Sequence, residues 1–230
     1  MALSEGLREA ARAYAAGDWQ ACLSSLDEVD STLVNHLDLA YLLGLVHARL
    51  EHWDTALLYL EQVVTGSDEI LRVCQCRLVL SWIYLKTGRA RLAEYELQQL
   101  SSTGFESVQT CSGFGFASWE QGKGDEAIKW YEKALGFENG NPNALNGLGY
   151  VLAVTGKDLP KALACCRRAV QASPDNPAYL DSLAWACFRS GRAGEGRELI
   201  VRALSLSPEH HEILEHARAM RLDLPEGAEP

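Results

Sequence analysis

Much of what would mark a membrane protein, a disulfide scaffold or an enzyme is missing from these 230 residues. No run of about 18 apolar residues occurs, so no membrane span is expected. The opening stretch, Met1 to Trp19, has no basic segment followed by an apolar one, so no secretory signal is expected there. Bases are in short supply: 21 Lys and Arg stand against 31 Asp and Glu, a formal charge of −10. That balance argues against an electrostatic grip on nucleic acid or on anionic lipid. The seven cysteines are odd in number, and neither Cys74-x-Cys76 nor the adjacent pair Cys165-Cys166 has the spacing of a zinc site. Buried, reduced thiols are the expectation, with a cytoplasmic location; an exported one is the alternative.

Catalytic signatures are missing too. No Ser-His-Asp or Cys-His set has a context that would position it. Gly113-x-Gly115 and Gly147-x-Gly149 follow no strand, so they are not phosphate loops. His211-Glu212-Ile213-Leu214-Glu215-His216 is similar to a zinc-protease helix, but one residue too many separates its histidines, and they leave a common helix face. His47 reads as a satisfied core histidine. No catalytic residue, metal ligand or cofactor is assigned, and no enzyme activity is expected.

A period is present instead. Pro142 to Pro208 holds two helical hairpins with one grammar. Asn141-Pro142 opens the first and Asn176-Pro177 the second, each an N-cap followed by proline at the first helical position. Each hairpin turns at a glycine, Gly156 or Gly191, and each ends at a proline, Pro174 or Pro208, 34 residues apart. Two columns of small residues carry this period through the chain. One is Ala10, Gly44, Ser81, Gly115, Gly149 and Ala184; the other is Cys22, Ala56, Ala93, Ala127, Ala162 and Gly196. A third column, Val29, Val63, Leu100, Ala134, Ala169 and Ala203, drifts to larger residues in its first half. Small residues belong where antiparallel helices cross closely.

The 34-residue period with these columns resembles the tetratricopeptide repeat, TPR. The resemblance implies an all-α, right-handed superhelical solenoid of about six helical hairpins plus a C-terminal capping helix. Repeats are expected at about 3–36, 37–70, 74–107, 108–141, 142–176 and 177–210, in one domain over 3–222. The capping helix is expected over about 208–222, with Ser207 as its N-cap, and 223–230 as a disordered tail. Spacing in the first two columns stretches to 37 between the second and third repeats, which predicts a longer connection around Thr65 to Asp68. Ser101 to Gly104 reads as a loop, and Gly196 as a weak point.

In TPR proteins the first helix of each hairpin lines a concave face, and the resemblance places an aromatic set there. Tyr41, Trp82, Phe116, Trp119, Tyr150 and Trp185 are the candidate peptide-binding surface, with Tyr14 and Phe188 in the same columns. Gly113, Gly147 and Ser182 are expected to leave room beside the rings. Asn143 and Asn146 could hold a peptide backbone, since an amide both donates and accepts; Asp181 and Arg189 add charge. Bases and acids nearly balance on this surface, which favours a neutral or weakly acidic peptide. The implied function is a non-catalytic scaffold or adaptor that binds a peptide or helix of a partner protein, with no nucleic acid and no membrane insertion. The alternatives are a self-associating assembly factor forming a homo-oligomer, or a carrier of a small apolar ligand. The chain's own C-terminal tail is a further candidate occupant of the groove.

Overall fold

The structure is a computed structural model that describes residues 5–221; the expected tail lies outside the described residues. Among these residues are thirteen α-helices and no strand. They fall in two compact units, Met1–Glu106 and Ser107–Pro230.

The first unit contains α1 Glu5–Ala16, α2 Trp19–Asp27, α3 His36–Arg49, α4 Trp53–Gly66, α5 Ile70–Lys86 and α6 Ala90–Ser102. Consecutive helices pair as hairpins, and first helices lie side by side, α1 on α3 and α3 on α5. The second unit contains α7 Val108–Glu120, α8 Gly124–Phe137, α9 Pro142–Thr155, α10 Leu159–Ala172, α11 Pro177–Arg189, α12 Ala193–Leu206 and α13 His211–Ala219. Its hairpins are α7/α8, α9/α10 and α11/α12, with α7, α9, α11 and α13 in sequence along one face.

Local chemistry sets the ends. Asp18, Asn35, Ser107, Asn141, Asp158 and Asn176 each accept a hydrogen bond from a first-turn N–H of the helix they open. Five hairpins turn on a glycine in the left-handed region: Gly17, Gly88, Gly122, Gly156 and Gly191. The second hairpin instead places Glu51 there, at φ 60°.

The small-residue columns mark close approach. A Cβ on Gly44 would stand 2.8 Å from the Leu60 side chain, and one on Gly149 would stand 2.4 Å from the Cys166 sulfur. In the other column Cys22, Ala56, Ala93, Ala127 and Ala162 are fully buried. Gly196, expected to be a weak point, is a tight one: a Cβ there would lie 2.9 Å from the Ala184 carbonyl oxygen.

Several local expectations change. The 37-residue spacing does not lengthen the connection after α4, which is only Ser67 to Glu69. It lengthens α5 to 17 residues, where the first helices α3 and α7 have 14 and 13. A helix absorbs three residues as most of a turn with every added hydrogen bond made internally. Ser101 and Ser102 remain in α6, because the Ser102 and Thr103 hydroxyls bond back to the carbonyls of Gln99 and Leu100. Helix α13 starts at His211 rather than at Pro208. Ser207 closes α12, its N–H on the Ala203 carbonyl, so it cannot serve as an N-cap, and the chain turns through Pro208 to His210. All seven cysteines are buried thiols outside any disulfide. Burial pushes the Cys76 thiol up to about 12, and burial with the nearby Glu195 carboxylate takes Cys187 to about 11, so both are protonated at neutral pH.

Candidate functional site

In the first unit, the face built by α3 and α5 carries Tyr41 and Trp82. Tyr41 donates its hydroxyl to Gln75 Oε1 at 2.7 Å. The Arg72 guanidinium lies 5.1 Å from the centre of its ring and pairs with Asp38 at 2.5 Å. Trp82 stands edge-on to Trp53 with centroids 5.2 Å apart, and remains 40% exposed. Arg49 donates to the Tyr14 hydroxyl at 3.3 Å.

In the second unit, α7 and α9 bring Phe116, Trp119, Asn143, Asn146 and Tyr150 to one face. Phe116 is 38% exposed. Trp119 and Tyr150 meet edge-to-face at 5.7 Å. Asn143 is already engaged, its Oδ1 accepting from the Tyr179 hydroxyl. Asn146 Oδ1 is buried with no hydrogen-bond partner, as is Trp185 Nε1. Arg189 is exposed and donates to the Val154 carbonyl at 2.8 Å.

Position 147 does not leave an open space beside the rings. Tyr131, from the second helix α8, fills it: a Cβ on Gly147 would come 2.3 Å from the Tyr131 ring, and one on Gly115 would come 2.9 Å from it. The phenol is wedged between the two first helices, and burial pushes its ionisation well up. Ser182, in the same column as Gly147, is buried as well.

Sequence reading missed that α13 reaches this face and takes up part of it. Glu212 Oε1 accepts from the Tyr150 hydroxyl at 2.6 Å. His216 Nδ1 bridges both carboxylate oxygens of Asp181, at 2.8 and 3.0 Å, with both residues buried. The His216 ring stacks on Trp185 at 4.3 Å and 18°. Burial raises the Asp181 carboxyl above its usual range, and His216 opposes that shift. Glu120 is raised too, by burial and then by the Glu212 carboxylate. Three of the ten candidate residues, Tyr150, Asp181 and Trp185, thus hold α13 in place. The signal was in the sequence: Ser207-Pro208 repeats Ser173-Pro174 at 34 residues, which puts α13 in register with a first helix and His216 level with Ser182. His211 and His216 part as their spacing requires, His211 exposed and His216 buried. Among the described residues, no group of three or more His, Cys, Asp or Glu is gathered to hold a metal, and no helix is long and apolar enough to cross a membrane.

Comparison with known proteins agrees with the hairpin fold. Residues 118–156 match the family model described as TPR repeat. A TPR repeat-containing protein of Pseudomonas aeruginosa is 36% identical over 83 residues; the match spans 34% of this chain and 14% of that protein. Among solved structures, Pseudomonas aeruginosa pilF aligns with a TM-score of 0.70 at 14% identity, over 93% of this chain and 96% of that one. YrrB, described as a TPR protein with an unusual peptide-binding site, aligns with a TM-score of 0.55 at 14% identity, over 81% and 91%. Together with the paired helices, these matches show a TPR repeat over residues 118–156 and a fold shared with solved TPR proteins.

Proposed function

We propose that the protein is a non-catalytic adaptor that holds a peptide or helical segment of a partner protein against its first-helix faces. The observation that carries this reading is the pair of large apolar rings left 40% and 38% exposed there, Trp82 and Phe116. Rings of this size bring contact area at low side-chain entropy, which is why aromatic residues dominate binding hot spots. On the face that carries Phe116, Asn146 has its side-chain oxygen buried without a hydrogen-bond partner. YrrB, which shares the fold, has a peptide-binding site.

On this reading each unit carries its own working surface: Tyr41 and Trp82 in the first, and Phe116, Trp119 and Asn146 in the second. Asn143, Tyr150, Asp181 and Trp185 support the surface, and Arg189 stands exposed at its border. The test is capture of partners from the native lysate by the wild type and by two variants, Trp82→Ala and Phe116→Ala/Trp119→Ala, with circular dichroism on all three. A protein kept by wild type and lost by a folded variant supports the reading, with a cost of about 2 kcal/mol per hot-spot ring. Equal retention by all three would move the interaction to other surfaces.

A further inference from the structure

The turn between α3 and α4 departs from the other hairpin turns in ways that the repeat does not require. Glu51 occupies the left-handed position that glycine fills in the other five hairpins. His52 stands at the N-cap of α4, where Asp18 and Asp158 stand for α2 and α10. Those aspartates accept first-turn N–H groups; His52, like Arg89, Lys123 and Arg192 before α6, α8 and α12, makes no side-chain cap bond. Histidine is also not among the residues favoured at that place. Its ring is turned to His47 in the last turn of α3, and the two Nδ1 atoms lie 3.1 Å apart. The ring centroids are 5.4 Å apart at 41°, and Tyr59 lies near-parallel to the His47 ring at 6.1 Å and 13°.

We propose that His47 and His52 form an open two-histidine site for a divalent transition-metal ion of the zinc, nickel or copper class. Imidazole nitrogen is the donor this class prefers. At a metal–nitrogen distance of about 2.0–2.1 Å, two nitrogens 3.1 Å apart subtend an angle of about 98° at the metal, between octahedral and tetrahedral values. His52 is exposed and His47 half-buried, so the ion has access from solvent. The Asp27 carboxylate is close enough to act on the His47 ring and places negative charge near the cation. Among the described residues only two donors converge here, so water would hold the remaining positions, and these are open to an outside ligand. A metal seated on the pair would tie the C-terminal turn of α3 to the N-terminus of α4 across the strained residue Glu51. The competing explanation of the 3.1 Å contact is a simple N–H···N hydrogen bond between neutral rings.

The full chain, labelled with nitrogen-15 histidine, is titrated with zinc chloride and separately with nickel chloride, and each histidine is followed by NMR. The proposal expects the His47 and His52 ring resonances to shift with zinc and to broaden with nickel, saturating at one metal per chain. Those of His36, His210 and His211 should stay in place. His52→Gln, which removes no cap bond, should abolish the response at His47 while circular dichroism stays unchanged; His47→Gln should do the same at His52. Rings unmoved at several equivalents of metal would leave the hydrogen bond as the whole explanation and overturn the site. Uptake that survives His52→Gln, or that moves only the His210 to His216 group, would overturn it equally.

Discussion

Replacing Gly149 with alanine should destabilise the second unit, although alanine is the better helix former. The residue lies inside α9, where the change from glycine favours the helix by about 1 kcal/mol. Against that, the added Cβ would meet the Cys166 sulfur at 2.4 Å, the Ala162 carbonyl oxygen at 3.0 Å and the Cys166 amide nitrogen at 3.1 Å. Two of the three are backbone atoms of α10, and Cys166 is fully buried, so neither neighbour can turn away. Overpacking of this kind costs about 1–3 kcal/mol, and a contact with a second helix's backbone belongs at the upper end. The net expectation is a loss of about 2 kcal/mol in urea unfolding. Gly136, in α8, supplies the control: a Cβ there meets nothing within 4 Å, so Gly136→Ala should gain about 0.5–1 kcal/mol from propensity alone. Adding Cys166→Ala to Gly149→Ala should restore part of the loss, a favourable coupling of about 1 kcal/mol, because the nearest clash is removed. If Gly149→Ala were as stable as wild type, α9 and α10 could move apart freely, and close crossing would not be the reason for the small-residue column.

Other substitutions test single features. Glu51→Gly should stabilise the first unit by about 0.5–1 kcal/mol in urea unfolding, since the left-handed position costs an ordinary residue about 1–2 kcal/mol and glycine returns part of that as lost entropy. His216→Ala leaves the Asp181 carboxylate buried without its partner and should cost about 3 kcal/mol; the double variant with Asp181→Ala should be less damaged than the sum. The Glu120 carboxyl titrates above its unfolded value, so the folded state holds its proton longer. Its contribution is full below the unfolded value of about 4 and is lost as pH rises through the raised folded one. Glu120→Gln should therefore flatten the decline in urea midpoint over that window, and an unchanged profile would refute the assignment.

The fold was legible because its main device is periodic. A small residue every 34 or 35 positions needs no partner to be recognised, and an Asn-Pro pair announces a helix start by its own chemistry. Where sequence reading failed, two structures shared one pattern. Three extra residues between Ala56 and Ala93 are compatible with a loop or with a longer helix, and only packing chose the helix. Ser207-Pro208 can open a helix or close one, and the preceding turn of α12 decided for closing. The surface was harder. The columns brought Trp119 to Tyr150 and Trp185 to Phe188 as ring neighbours. They gave no hint that Tyr131 would enter from a second helix, because that depends on two glycines in neighbouring first helices acting together. The pairing of His216 with Asp181 was hidden because α13 was read only as a cap over apolar surface, and its polar face received no register.

Many of the polar ties described above join a residue to a place about one period further along. Asp38 to Arg72 and Tyr41 to Gln75 span 34 residues, and Tyr14 to Arg49 and Asp181 to His216 span 35. Wiring of this reach demands no long loop closure, so the conformational search stays short and each unit should fold quickly for its size. The same locality means that damage does not spread: opening one hairpin breaks ties only to its neighbours. The tie from Tyr150 to Glu212 is different, for it spans 62 residues and passes over a whole hairpin. It fastens the last described helix back to α9 and makes fraying at that end a concerted event. Amide exchange should show the consequence, with α13 opening together with α11 and α12 rather than ahead of them.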